Sequence, residues 1–517
     1  MRRGPARGLL RAALLAAFLT PAAVAQSRLY VDASAVGANN GLSWAGAYTN
    51  LQSAIAAAAG SGGQVQEIWV ADGVYKPGAS RAATFQLPSG VRLLGGFAGG
   101  ETLAAQRDWV AHPTILSGEL GDPLSQGDNC YHVVSAEDTG PGTLVDGFTI
   151  TRGFANGGST QAVGPLAFLV NAQVRFANCR FTSSGAEGDG GGLWSSGGAV
   201  HLVYCEFYKC NSAGAGGAVR QIGVGTLHAV GCRFLTNSAA SNGGAVAISS
   251  FSAAMHNCEF VRNISGGSGG AFYVGGTFAT AALRNCTLWQ NHAQSVGGVA
   301  SHNGASVAVG NCLIYESTDN DPVTNTTTCA VGVANGGTQG TNYTMLNGWT
   351  GALGGAGNFG GIPTFINGPG TDGIIGTPDD DLRLVAYSSG IDRGSTAAAP
   401  NDELDLDGNG VTTQQKIPFD ALGKPRFFDI VAQTNFNGST IDIGAHESAP
   451  LRGDMNCDGL VNNFDIEPFV LALTHPEAYA ALYPGCDLMA GDINNDAWFS
   501  NFDIDPFVQC LNTFGCP

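Results

Sequence analysis

Two runs of oxygen-bearing side chains near the C-terminus have the spacing of calcium loops. The first holds Asp454, Asn456, Asp458, Asn462 and Asp465, and the second Asp492, Asn494, Asp496, Ser500 and Asp503. Ca2+ takes roughly six to eight hard oxygens, and a twelve-residue loop supplies them from side chains at its first, third, fifth, ninth and twelfth positions and from the seventh carbonyl. That carbonyl belongs to Leu460 in one loop and to Trp498 in the other. Gly459 eases the sharp turn of the first loop; Ala497 stands there in the second, so weaker ion binding is expected of it. Residues 451–517 carry ten acids against one base, Arg452, which is half of the chain's net charge of −18. The excess marks a cation site and disfavours a nucleic-acid partner.

An apolar stripe at helical spacing follows each loop: Ile466, Phe469, Val470 and Leu473, then Ile504, Phe507, Val508 and Leu511. The loop-then-helix duplication, with Asp rather than Glu closing each loop, resembles a type I dockerin. The resemblance implies two Ca2+ ions and a cohesin-like protein partner. It also implies partner contacts at loop positions ten and eleven, here Asn463-Phe464 and Asn501-Phe502, identical in both halves and so compatible with two binding orientations. An alternative reading packs both Phe residues into the module's own core. Cys457, Cys486, Cys510 and Cys516 give a small exported module two disulfides in any of three pairings.

Elsewhere the sequence offers no catalytic constellation. It lacks H-E-x-x-H, a phosphate loop and the N-T-D, G-H-G and R-I-K motifs of polygalacturonases. Asp379, Asp380, Asp381 and Arg383 have the residue types of a lyase site for acidic polysaccharide, where a cation neutralises the carboxylate and an Arg or Lys acts as base. In a Gly/Pro-flanked loop, three adjacent acids read more readily as a turn or cation feature. Asp405-Leu406-Asp407-Gly408-Asn409 reads the same way. His201, His228, His256, His292 and His302 are expected on the surfaces of rungs, without a nucleophile beside them.

These groups must be carried on a repeat. Cys179, Cys205, Cys232, Cys258, Cys286 and Cys312 recur every 26 to 28 residues, each followed two residues on by a large apolar side chain: Phe181, Phe207, Phe234, Phe260, Leu288 and Ile314. That period of two is a strand with Cys and Phe on one face. Asn178, Tyr204, Gly231, Asn257, Asn285 and Asn311 precede the cysteines, and the Asn and Gly among them predict a left-handed corner there. A Gly-Gly pair recurs with the same period, as in Gly216-Gly217, Gly243-Gly244 and Gly269-Gly270. A helix-free unit this short cannot bury its own apolar face, so units must stack as a parallel solenoid. Buried Cys behaves as a small hydrophobe, and an unpaired thiol stack is favoured over disulfides between rungs.

The pairing of F-x-x-N (Phe234 to Asn237, Phe260 to Asn263) with G-G-A-V (Gly243 to Val246) resembles the repeats of chlamydial-type polymorphic outer-membrane proteins; Phe207 departs, since its Asn is Asn211. Tyr30-Val31-Asp32-Ala33, Glu67 to Tyr75, Leu94 to Glu101, Asp146 to Ile150, Gly390 to Gly394 and Asp442 to Glu447 resemble secreted, pectate-lyase-like parallel β-helix proteins. The fold implied is an all-β, right-handed parallel β-helix with a small helical calcium-loop domain. Residues 48–59, with Leu51, Ala54, Ile55 and Ala58 on one face, predict a helix plugging the solenoid's N-terminal end. Residues 1–25 read as a signal peptide, from Arg2, Arg3, Arg7 and Arg11 through an apolar run to Ala23-Val24-Ala25. No later stretch is apolar enough to span a membrane. The expected order is residues 1–25 signal, 26–150 cap and first rungs, 151–320 regular repeats, 321–449 closing segment and 450–517 calcium module. Two functions fit: a secreted or cell-surface body that binds or displays, to carbohydrate or the cell surface, or a polysaccharide lyase or hydrolase recruited to an enzyme assembly.

Overall fold

The computed structural model describes residues 28–320 except 250–251, residues 330–448 except 386–387, 414 and 428–438, and residues 452–513 except 457–460, 484–485, 487, 495 and 497. The described residues between 28 and 346 wind into a parallel β-solenoid of about nine turns. One 18-stranded and one 14-stranded sheet form its walls, and within them every strand pairs in parallel with its counterpart one rung away. The helix predicted at the N-terminal end is present as Leu51–Ala59, capped by the Asn50 side chain, and its buried Leu51, Ala54, Ile55 and Ala58 join the solenoid core. No helix among the described residues is long and apolar enough to cross a membrane.

The corners come from single left-handed residues. Asn178, Tyr204, Asn257, Asn285 and Asn311 have φ between 49° and 53°, and Gly231 has φ 63°. A second left-handed position recurs along the smaller sheet, inside the strand Glu206–Ser212 at Lys209 and just after shorter strands at Thr236, Arg262, Gln290 and Glu316. Non-Gly residues pay a modest penalty there, which the packing of the rung offsets. The Gly-Gly signature has two separate causes. Gly243 has φ 72°, and a Cβ on Gly244 would stand 2.2 Å from the Gly270 carbonyl of the next rung.

Register places like on like inside. Phe181, Phe207, Phe234 and Phe260 pair in sequence across rungs. Their rings stack nearly parallel at centroid distances of 4.5, 5.2 and 4.8 Å. The six repeat cysteines are buried free thiols. Each Sγ–H donates to a main-chain carbonyl, as from Cys258 to His256 at 3.2 Å and from Cys312 to Gly310 at 3.2 Å. Burial pushes the Cys179, Cys258 and Cys312 thiols far above their ordinary pKa, so they are inert there.

Beside the ring stack runs a ladder of fully buried amides, Asn237, Asn263 and Asn291. The Asn237 Nδ2 donates to Phe207 O and to Asn263 Oδ1, both at 3.0 Å, and the Asn263 Nδ2 donates to Phe234 O at 2.8 Å and to Asn291 Oδ1 at 2.9 Å. Each Oδ1 also takes a main-chain N–H from the preceding rung. The break at Phe207 has a simple form. Cys210, not Asn211, occupies the ladder position and donates its N–H to Asn237 Oδ1 at 3.0 Å, while Asn211 lies exposed.

The closing segment lies over the outer face of the smaller sheet. Phe365 and Leu382 cover the outward apolar row of Leu235, Val261 and Trp289, and Leu384, Ile391 and Ile443 pack on Leu313 and Met345. The motif residues 442–447 form its clasp. Gly444 (φ 94°) turns its N–H onto Asn311 O at 2.8 Å, the Ala445 N–H meets Thr287 Oγ1 at 2.9 Å, and His446 Nε2 bonds Glu259.

Removing one ladder amide leaves several buried groups without partners, which costs far more than losing an exposed hydrogen bond. Asn263→Ala is expected to destabilise the chain by about 2–4 kcal/mol, and the exposed Asn211→Ala by about 0.5 kcal/mol or less. Urea denaturation midpoints of the two variants check this.

Candidate functional site

The two predicted loops adopt one geometry twice. Asp465, at the twelfth position of the first, is fully buried; its Oδ1 accepts the N–H of Met455 at 2.8 Å and of Asn456 at 3.1 Å, and its Oδ2 the N–H of Asn462 at 2.8 Å. Asp503 repeats the pattern, with Oδ1 accepting from Asn494 at 3.1 Å and Oδ2 from Ser500 at 2.9 Å. Asn462 and Ser500, at the ninth positions, accept the N–H of Phe464 and Phe502 and so begin the two helices. Those helices are Ile466–Thr474 and Ile504–Thr513, with Pro476–Leu482 between them. Phe469 and Phe507 stack at 4.1 Å inside a small core that includes Met455, Tyr479 and Ile493.

The remaining predicted ligands divide as follows. Asp454 and Asp492 are buried at the loop starts, and Asp492 Oδ1 accepts the Asp496 N–H at 3.1 Å. Asn494, Asp496 and Trp498 are exposed, and Asn456 half-buried. Asp458 and Leu460 lie outside the described residues. Among the described residues, no three His, Cys, Asp or Glu side chains converge as a metal group. The donor set is nevertheless all hard oxygen, with buried carboxylates at the first and twelfth positions of both loops, which suits Ca2+ rather than a thiophilic metal. Cys486 and Cys510 are each in a disulfide, and Cys457 and Cys516 lie outside the described residues.

Phe464 and Phe502 do not enter the core. They are 78% and 76% exposed, which removes the reading in which they pack inward. Beside them Ile466, Val470, Ile504 and Val508 are also exposed, so each half presents an apolar face of the same composition.

The acids of the closing segment hold turns together. Asp379 Oδ2 accepts from the Thr371 and Asp372 N–H groups, Asp380 Oδ2 accepts the Gly376 N–H, and Asp381 pairs with Arg383 at 2.7 Å. Burial raises the Asp380 carboxyl to about 6, against the pull of its hydrogen bonds. Asp405 and Asp407 likewise bond neighbours in their own loop.

Sequence reasoning missed the ionic centre of the clasp, because its members are far apart in the chain. Glu259 meets Arg233 at 2.8 Å and His446 at closer range. Burial would raise the Glu259 pKa, but the charges of Arg233 and His446 outweigh it and bring it to about 2. The fully buried Arg426 donates to the carbonyls of Asp442 and Gly444. Two histidines expected at the surface are covered: His228 and His256 are 7% and 5% exposed, with His228 Nε2 and His256 Nδ1 3.2 Å apart.

The fold thus defines a parallel β-solenoid. No protein-family model matches the chain, and no curated protein matches it.

Burial and then His201 hold His228 down to about 4, and burial, then His228 and Arg284, hold His256 well below its ordinary pKa. The folded imidazoles stay neutral while unfolded ones take up protons near about 6.5. Their contribution is therefore present above that pH and is lost as pH falls toward about 4. Relative to wild type, His228→Gln should lose about 1–2 kcal/mol less stability between about pH 7 and 4.5, read from denaturation midpoints across that range.

Proposed function

We propose that this chain is an exported solenoid held at a cell surface, or in a surface assembly, by a calcium-dependent C-terminal module of dockerin type. The solenoid is the rigid body displayed there, and it binds carbohydrate or the cell surface. The observation that carries this reading is the pair of exposed rings, Phe464 and Phe502, set on two loops of matching geometry. Large exposed apolar side chains in a repeated setting mark a contact surface for another protein. A shallow groove of about 540 Å3 along the first helix, lined by Ile466, Val470 and Leu471, lies beside one of them. The matching faces fit a cohesin-like partner engaged through either half.

In this reading Asp454, Asn456, Asp458, Asn462 and Asp465 hold one ion with the Leu460 carbonyl, and Asp492, Asn494, Asp496, Ser500 and Asp503 a second with the Trp498 carbonyl. Ca2+ cross-links each loop and fixes the helix behind it, so that the two Phe faces are presented together. The signal peptide at residues 1–25 delivers the chain across the membrane and, like the loop centre at 457–460, lies outside the described residues.

Calorimetric titration of the mature chain with Ca2+ tests the module. Two sites are expected, the first tighter than the second, with Asp465→Ala abolishing the first; a flat titration contradicts the reading. For the partner face, Phe464→Ser or Phe502→Ser alone should weaken capture by a cohesin domain about twofold, since one of two orientations survives. The double variant should lose capture while keeping its calcium sites.

A further inference from the structure

The outward face of the larger sheet carries a row of side chains at one register position. Arg28 pairs with Glu67, Glu67 with Arg92, Arg92 with Leu144, Leu144 with Arg175, and Arg175 with His201. Around the middle of the row lies a groove of about 430 Å3, lined by Arg92, Thr143, Leu144, Gln173, Arg175 and His201. In a chain of net charge −18 this groove has cations and no acid in its lining.

Two acids near it are held in ion pairs. Glu67 bonds Arg28 at 3.3 Å and Arg92 at 2.8 Å, and Asp146 bonds Arg107 at 2.5 Å. Glu403, 60% exposed, stands 3.7 Å from His228 on the next rung. Arg175 is half-buried, forms no ion pair among the described residues, and gives only a long 3.5 Å hydrogen bond to Leu404 O. A half-buried guanidinium facing a cavity without a counter-ion is a site for an anion, and its planar fork suits carboxylate and sulfate. Burial, and then Arg175, keep His201 below its ordinary pKa, so near neutrality it faces the groove as an uncharged imidazole able to donate or accept.

We infer that this groove binds an acidic glycan through carboxylate or sulfate groups repeated along its chain, with Arg175 as the main anchor and Arg92 as the second. Arg92 and Arg175 are two strands apart, roughly 9–10 Å at the spacing of strands in a sheet, too far for one acidic group to bridge. Gln173 and His201 beside them offer polar atoms for sugar hydroxyls. The groove runs across the rungs, as an extended chain would lie. Two guanidinium groups on an acidic protein do not make a nucleic-acid surface. The inference rests on the reading of the solenoid as a glycan-binding body and names its ligand class and site.

The test uses the mature chain in a chelator, so that the C-terminal module's ions play no part. Polygalacturonate (carboxylate), dextran sulfate (sulfate), dextran (neutral) and a DNA oligonucleotide are titrated by calorimetry. Binding is expected to one or both charged glycans, which also separates the two acid types, and to neither dextran nor DNA. Arg175→Gln should weaken it about tenfold or more at unchanged melting temperature, and Arg175→Lys less. Arg180→Gln, on the other sheet and paired with Glu206 at 2.8 Å, should bind as wild type. The inference is overturned by no binding to either charged glycan, by equal binding to DNA, or by Arg175→Gln at wild-type affinity. If Arg175→Gln does not fold, Arg175→Lys at wild-type affinity overturns it. Binding to dextran alone overturns it too, but leaves the glycan-binding reading standing.

Discussion

A rung of this solenoid has no interior of its own. Its Phe ring has faces that only the rings above and below can cover, and its Asn amide completes its bonds only with the amide of the next rung. Stacking between rungs is therefore the constraint from which the rest follows. It demands parallel pairing in fixed register, left-handed corners at the same place in every turn, and glycine where one rung's backbone presses on the next. It also leaves two open ends and an outward apolar row. The N-terminal helix covers one end, and the closing segment covers the row.

That cover is more than packing. The Glu259–Arg233 ion pair lies beneath it with His446 bonded to the same carboxylate, and the cost of burying that pair is met only when its partners are in place. Asp380, which has the residue type of a lyase site, takes part in this attachment. It caps a turn that lies against Arg233, whose guanidinium donates to the Asp380 carbonyl at 3.2 Å, and the residues of the 442–447 motif bind the solenoid. Among the described residues, the closing segment reaches the outward face of the larger sheet at its edge, through Leu404 and Glu403.

The regular part of the fold was legible because one physical period governs it. The spacing of Cys179 to Cys312 gives the rung, the Phe two residues on gives the inward face, and Asn257, Asn285 and Asn311 give the corner. The helix over Leu51–Ala59 was readable from its stripe. Cys210 was not, because a thiol in an amide ladder leaves no motif. The clasp pairs residues 187 positions apart, and nothing local in the sequence of Glu259 announces His446. The cationic groove escaped notice because residues 28–150 keep no fixed period, so the alignment of Arg92 with Arg175 and His201 exists only in the sheet register. At the C-terminus the ligand spacing was plain, but whether Phe464 and Phe502 point in or out depended on which apolar residues the small core had room for. Phe469 and Phe507 fill it.

The body takes its order from stacking, and the tail is proposed to take its order from an ion. Hydrogen exchange of the mature chain, followed by mass spectrometry with and without Ca2+, tests that division most directly. Strands from 206 to 291 should exchange slowest and equally in both conditions, while the helices Ile466–Thr474 and Ile504–Thr513 should gain protection only with Ca2+. Equal protection of those two helices with and without the ion, or fast exchange in the strands from 206 to 291, would contradict it.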